Sequence, residues 1–282
     1  MLIRLFILAL LAAGLIAGGW RLVDKLYVGP QKRLVEDEKL PPPTPPLDPS
    51  LGEFARCEEL RKTEGASAAR LAFEQFLKEF PGSPKRDDAW QAIGEINAAE
   101  FFAGKQGDSN VYVVKSGDSI GRISARSKIP VETVIFLNRM QRDVIHPGDR
   151  LLAPACDFRA VLQQKTRRVI LYNGGKFFRH YPASVWPGMN RSPAVILPRQ
   201  EGRVAEKSAI NVKGLPIKPT EIAYYGANHI IGVTLPGHSL YTQPEDADAP
   251  VSKPAGGGIG LAPAHMSEIA ILLPRGAPVT LE

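Results

Sequence analysis

The sequence predicts a multidomain α+β chain: an N-terminal transmembrane helix, a short helical hairpin, a small βααβ unit and a C-terminal mainly-β domain. Three observations predict it. An uncharged apolar run, Leu5 to Trp20, is followed by a proline-rich stretch. Between residues 50 and 105 apolar side chains recur at three- and four-residue steps. Beyond residue 156, short β-branched and aromatic runs alternate with glycine and asparagine turns. The chain has 282 residues, 44% of them hydrophobic, enough for two or three cores. The net charge of +6 suits anionic polymers or lipid headgroups. No basic block with interleaved aromatics is present, so nucleic acid is not an expected partner.

Residues 1–27 read as a signal anchor. A helix rises about 1.5 Å per residue, so about 20 apolar residues cross a bilayer core of about 30 Å. Only Arg4 interrupts the run from Met1, and Trp20 would sit at the interface. Ala17-Gly18-Gly19 also offers small residues for cleavage, so a removed signal peptide stands beside the favoured uncleaved anchor. Arg21 and Lys25 follow the span while Arg4 precedes it, which mildly opposes export by charge. The short N-terminal tail and the downstream modules argue for export. Residues 28–49 form a linker in which Leu40-Pro41-Pro42-Pro43-Thr44-Pro45-Pro46-Leu47-Asp48-Pro49 is expected to be an extended spacer, because proline fixes φ and removes the amide donor.

In residues 50–105, Leu60, Leu71, Phe73, Phe76, Leu77 and Phe80 mark one apolar face, and Pro81-Gly82-Ser83-Pro84 stops that helix. Ala89, Trp90, Ile93, Ile96 and Ala99 begin another. The pattern Ala72-Phe73, Phe76-Leu77, Phe80-Pro81, Ser83, Ala89, Ile93-Gly94 resembles tetratricopeptide repeats. Only about one and a half repeats are present and about three are usually needed for a continuous core. The segment is therefore expected to pack on a neighbour or dimerise, with an envelope protein as a candidate partner.

Residues 111–155 begin with the β-branched strand around Val111-Tyr112-Val113-Val114 and turn at Ser116-Gly117-Asp118-Ser119. Asp118 or Ser119 can cap a helix whose inner face is Ile120, Ile123 and Ser124. Pro130 suits the start of a second helix carrying Val134, Ile135 and Leu137, ended by Asn138. Ile145-His146-Pro147-Gly148-Asp149 turns into a closing strand, Arg150 to Pro154. The set Tyr112-x-Val114, Gly117-Asp118-Ser119-Ile120, Leu137-Asn138 and Ile145-x-Pro147-Gly148-Asp149-x-Leu151 closely resembles the LysM family. The resemblance implies binding of N-acetylglucosamine-containing glycan, chiefly peptidoglycan. It places the sugar in a shallow groove between two loops, carried here by Gly117, Asp118, Ser119, Ile120 and by Ile145, His146, Pro147.

In residues 156–282 strands are expected at Phe158–Leu162, Arg168–Tyr172, Lys176–Ser184, Ala194–Leu197 and His229–Val233. Asn173-Gly174 between two of them is a hairpin signal. A helix from Ala264 to Leu273 and a strand through Pro274–Leu281 end the chain. The opening hairpin with Tyr181-Pro182-Ala183-Ser184 resembles the L,D-transpeptidase catalytic domain. So does the tail Ile259-Gly260-Leu261, Glu268-Ile269, Leu273-Pro274-Arg275-Gly276-Ala277-Pro278-Val279. That family attacks peptide carbonyls with a cysteine thiolate in a Ser-His-Gly-Cys-x-Arg motif. In Ala255-Gly256-Gly257-Gly258-Ile259-Gly260-Leu261, Gly256 stands for the histidine, Gly258 for the cysteine and Gly260 for the arginine. An earlier His-Gly-Thr turn aligns with Tyr241-Thr242-Gln243. Glycine supplies no nucleophile, base or charge, so no catalytic residue is expected there. Ser239, Ser252, His238 and His265 lie near in sequence without a recognisable elbow. His229, His238 and His265 read as surface or satisfied polar residues.

Cys57 and Cys156, the two cysteines, build no metal-type cluster, and no metal or cofactor is expected. If both are exported a disulfide is open to them; two free thiols is the plainer reading. The sequence therefore points to a non-catalytic peptidoglycan-binding protein of the bacterial inner membrane, single-pass, with its bulk in the periplasm or cell-wall space. Two alternatives are a cross-linking enzyme of the L,D-transpeptidase type with a rearranged site, and an envelope scaffold acting through the helical segment.

Overall fold

The structure is a computed structural model that describes residues 48–104, 110–154, 156–189, 196–244, 246 and 252–282, with Gly19, Arg21 and Lys25. The expected membrane span and nearly all of the proline-rich linker lie outside the described residues. Among the described residues no helix is long and apolar enough to cross a membrane. The chain divides into two compact units, Met1–Pro49 and Ser50–Glu282; the second holds the helical segment, the βααβ module and the β domain.

The helical segment contains three helices, α1 (Pro49–Thr63), α2 (Ala66–Glu79) and α3 (Arg86–Phe102), where a hairpin was expected. Helix α1 carries six charged residues in its fifteen and fully buries only Ser50 and Cys57, too few positions for a period to show. Its Phe54 ring lies 5.7 Å from both Phe73 and Phe76. The inward stripe of α2 is Ala69, Phe73 and Phe76. Leu71 falls off that stripe and is 68% exposed, contrary to the expected face. The segment needs no second copy to cover its other side, because α3 packs on the β domain. Trp90 meets Phe177 at 4.6 Å between ring centroids. Asn97 Nδ2 donates to the Phe178 carbonyl at 2.9 Å, and Arg168 pairs with Asp87 at 2.6 Å.

The next module is β1 (Val111–Val113), α4 (Ile120–Ser127), α5 (Val131–Leu137) and β2 (Arg150–Leu152), the expected βααβ order. Strands β1 and β2 pair antiparallel, Tyr112 opposite Leu151. Asn138 caps α5 and clamps the closing strand. Its side chain donates to the Leu152 carbonyl at 2.9 Å and accepts from the Leu152 amide at 2.8 Å.

The β domain is a closed eight-stranded barrel. Its strands are β3 (Phe158–Gln163), β4 (Arg168–Asn173), β5 (Lys176–Val185), β6 (Gln200–Ile210), β7 (Asn228–Val233), β8 (Ser239–Thr242), β9 (Gly258–Leu261) and β10 (Pro278–Leu281). Around the barrel the order is β10-β3-β4-β5-β9-β8-β7-β6. Strands β10 and β3, and β8 and β9, pair parallel; β6 against β10 closes the ring antiparallel. Closure leaves no free sheet edge. Of the strand expected at Ala194–Leu197, Ala194 and Val195 lie outside the described residues, and Ile196 and Leu197 are irregular. The strand of that region is β6, whose run of charged residues hides the pattern. The last strand is shorter than expected, since residues 274–277 form a turn before it.

Helix α6 (Pro263–Leu272) buries Met266, Ile269, Ala270, Ile271 and Leu272 between the barrel and the βααβ module. Thr133 on α5 donates its hydroxyl to the Ile271 carbonyl. One apolar core runs from Phe101 of α3 through Ile123, Val134 and Leu151 to Leu171, Leu240 and Leu281 in the barrel. The βααβ module is thus fused to the barrel by shared packing.

Candidate functional site

The end of β1, which leads into the first loop expected to line the groove, is tied to the end of the second. Val114 donates its amide to the Asp149 carbonyl at 2.9 Å and its carbonyl accepts from Gly148 at 2.9 Å. Gly117 at φ 82° and Gly148 at φ 97° hold left-handed positions that favour glycine. Ser119 is the helix cap, its hydroxyl accepting from the Arg122 amide at 3.3 Å. Asp118 works within the loop. Its Oδ2 accepts from the Tyr112 hydroxyl at 2.7 Å and the Lys115 amide at 2.9 Å, and these bonds hold its carboxyl below the usual range. Arg126 bonds the same tyrosine hydroxyl. Ile120 is a core side chain at 5% exposure, and Ile145 is half-buried against that core. Gly117, Ser119, His146 and Pro147 are exposed. His146 is oriented by Asp149, whose Oδ2 accepts the His146 amide at 2.7 Å.

The second predicted locus is strand β9. Gly258 lies opposite Ser239 and Gly260 opposite Tyr241 in the parallel pair with β8. Both glycines are buried. A Cβ placed on Gly260 would stand 3.0 Å from Tyr241 Oη, 3.0 Å from Val185 Cβ and 3.1 Å from Gln243 Cβ. A Cβ on Gly258 would meet Tyr241 Cδ1 at 3.3 Å. The Tyr241 ring, 1% exposed, therefore occupies the space above both glycines. Its hydroxyl pKa is pushed up by burial. Gly256 faces open space.

Of the remaining candidates, Ser239 stands opposite Gly258 on β8, with His238 beside it in sequence. Cys57 and Cys156 are free and buried. Desolvation pushes the Cys156 thiol up to about 12, against a lowering bond from Asn173, and the Cys57 thiol also rises by burial. His229 is 1% exposed and bonds the Tyr224 carbonyl at 2.9 Å; His238 bonds the Pro236 carbonyl at 2.8 Å. Burial takes His229 down to about 4. His265 departs from the expectation of a satisfied histidine: its Nδ1 is buried without a hydrogen-bond partner among the described residues. No group of His, Cys, Asp or Glu among the described residues is arranged to hold a metal.

Sequence reading missed a buried cluster beside His265. Arg179 pairs with Glu268 at 2.7 Å, and the Tyr181 hydroxyl donates to Glu268 at 2.9 Å. Burial raises the Glu268 carboxyl, partly countered by Arg179 and Tyr181. The signal was one carboxylate inside the apolar run of α6.

Parts of the chain are similar in structure to L,D-transpeptidases. One from Mycobacterium smegmatis is 19% identical over 48% of this chain and 63% of its own, with a TM-score of 0.30. L,D-transpeptidase 1 of Mycobacterium tuberculosis gives 15%, 46%, 63% and 0.29. A point variant of the Enterococcus faecium enzyme gives 15%, 50%, 56% and 0.29. The chain spans less than two thirds of the length of each of these structures. No curated protein matches the chain. Residues 112–154 match the family described as LysM domain, and the chain carries that domain there.

Proposed function

We propose that the protein binds peptidoglycan through its LysM domain and that its barrel performs no transpeptidation. The observation that carries the reading is the LysM match over residues 112–154, supported by Val114, just past β1, bonding Gly148 and Asp149 at the end of the second expected loop. The LysM domain gives the chain a cell-wall-related role in the envelope. The ligand is glycan containing N-acetylglucosamine, held by Gly117, Ser119, His146 and Pro147, with Asp118 shaping the loop and Ile120 and Ile145 giving the apolar floor. The N-terminal segment anchors the chain to the inner membrane, with its bulk on the wall side. A shallow groove buries little area, so one such site holds glycan weakly and retention on the wall gains from a second contact. The inert barrel is supported by Tyr241 lying over Gly258 and Gly260, two positions that carry no side chain of their own.

The test is co-sedimentation of the full-length chain with purified sacculi, run beside a muropeptide assay. Wild-type protein is expected to pellet, and His146→Ala is expected to pellet several-fold less. Muropeptides are expected to come through unchanged. Protein that stays in the supernatant defeats the glycan reading; new cross-links or released D-alanine defeat the inert barrel.

A further inference from the structure

Where the end of α5 meets α3 and the barrel, the chain forms a pocket of about 440 Å³, within the range of about 300–1,000 Å³ usual for small-ligand sites. Three half-buried rings line it: Phe102 from α3, Phe136 from α5 and Tyr225 from the short helical turn Ile222–Gly226 that precedes β7. Phe136 makes T-shaped contacts with the other two, its centroid 5.1 Å from that of Phe102 and 5.0 Å from that of Tyr225. The walls are set by bonds behind them. Glu132 of α5 pairs with Lys207 of β6 at 2.9 Å and accepts from the Tyr224 hydroxyl at 3.4 Å. Ser267 of α6 donates to the Tyr225 carbonyl at 2.7 Å.

The side chains of Arg139, Gln141 and Thr220 stand at the rim with the Tyr225 hydroxyl, and none of these four groups bonds another side chain or the backbone among the described residues. Ile222, 85% exposed, forms the lip. Rings below and polar groups around suit a sugar. The electron-rich face of an aromatic ring attracts the C–H face of a pyranose. A guanidinium, an amide and two hydroxyls can bond its hydroxyl and acetamido groups. An apolar peptide or lipid chain would cover those four groups and leave them without partners. The pocket is also near the glycan loops. Arg139, Met140 and Gln141 open the same α5–β2 connection that ends in Ile145, His146 and Pro147. Gln141 and Ile145 are four chain steps apart, so their Cα atoms are separated by at most about 15 Å.

We propose that this pocket is a second sugar subsite, and that one N-acetylglucosamine-containing strand runs from the LysM loops onto Phe136 and Tyr225. The inference rests on the glycan reading of the LysM domain. It supplies the second contact that a single shallow groove lacks, and it draws a barrel residue into glycan binding. Linked contacts multiply affinity only for a ligand long enough to touch both, so the subsite shows itself in the dependence of binding on oligomer length.

Titration calorimetry of the full-length chain with chitotriose and chitohexaose tests it. Chitohexaose is expected to bind about ten-fold more tightly than chitotriose. Two variants are expected to bring chitohexaose within about two-fold of chitotriose while leaving chitotriose unchanged. One is Tyr225→Ala, on the barrel. The other is Arg139→Gly, an exposed change that suits the left-handed φ of 50° at that position and so spares the fold. Tyr225→Phe keeps the ring and is expected to keep most of the length gain. His146→Ala is expected to weaken both oligomers. Equal affinity for the two oligomers, or a length gain that both Tyr225→Ala and Arg139→Gly leave intact, overturns the subsite and leaves the LysM groove standing. An apolar dye whose binding needs Tyr225 and which chitohexaose does not displace gives the pocket to an apolar partner and overturns it as well. If neither oligomer binds, the glycan reading falls and this inference with it.

Discussion

Ser239 and Gly258 face each other across the parallel pair β8–β9 so closely that a Cβ on Gly258 would stand 2.2 Å from the Ser239 carbonyl oxygen. The obstacle is backbone, which cannot rotate away. Placing a cysteine side chain at Gly258, where the sequence reading set the motif's cysteine, therefore requires the two strands to part. Gly258→Cys is expected to lower stability by about 1–3 kcal/mol, the range of an overpacked core, and to confer no cross-linking. Urea denaturation and a muropeptide assay check both halves. A variant as stable as wild type that forms a peptidyl adduct would show that the strand pair is not closed to a side chain.

The βααβ module was legible because its signals are local: a β-branched strand, a capping Ser119, helical apolar spacing and a Pro147-Gly148-Asp149 turn. The hairpin at Asn173-Gly174 and helix α6 were legible for the same reason. Strand β6 was not, because a strand with both faces partly wet shows no alternation to read. Helix α1 was missed since Phe54 and Cys57 alone give no period. The role of Tyr241 depends on a parallel pairing between strands far apart in sequence, and the Lys207–Glu132 pair on how two modules dock. Neither leaves a mark along the chain.

The contact of α3 with the barrel turns on Gly94. A Cβ there would stand 2.8 Å from Arg179 Cγ and 3.2 Å from Arg179 Cα. Gly94→Val is expected to push the helix off β5 and cost about 1–3 kcal/mol. It also strains the Arg179–Glu268 pair beneath. Limited proteolysis between residues 79 and 111 should quicken in the variant; an unchanged cleavage rate and denaturation midpoint would count against tight docking.

Asp118 and Ser119 divide their tasks, and substitution should separate them. Ser119→Ala removes the bond to the Arg122 amide and is expected to cost about 1 kcal/mol, as lost helix caps do, with a loss of sacculus binding smaller than that of Asp118→Ala, since one groove contact goes while the loop keeps its shape. Asp118→Ala frees the Tyr112 hydroxyl and the Lys115 amide together. It should loosen the loop and reduce pelleting with a smaller effect on the melting temperature. Comparing melting with co-sedimentation for the two variants decides between cap and loop-shaping roles.

Two buried histidines give the fold an acid limit. Burial, the largest cause in each, takes His180 and His229 from 6.5 down to about 4. Arg168 adds to the lowering at His180 and Asp87 opposes it, while the Tyr224 carbonyl opposes it at His229. Between those values the unfolded chain binds more protons than the folded one. Stability from this source is full above pH 6.5 and is lost as pH falls towards 4. At about 1.4 kcal/mol per pKa unit, each histidine contributes at most roughly 3 kcal/mol. Glu268 acts in the opposite sense, since its raised folded pKa gives up stability as pH rises through it. The urea midpoint of wild type is expected to drop from pH 7 to pH 4.5. His229→Gln, whose amide can still donate to the Tyr224 carbonyl, should drop less. Parallel curves for the two proteins would mean that His229 titrates at its ordinary pKa and carries no part of the acid sensitivity.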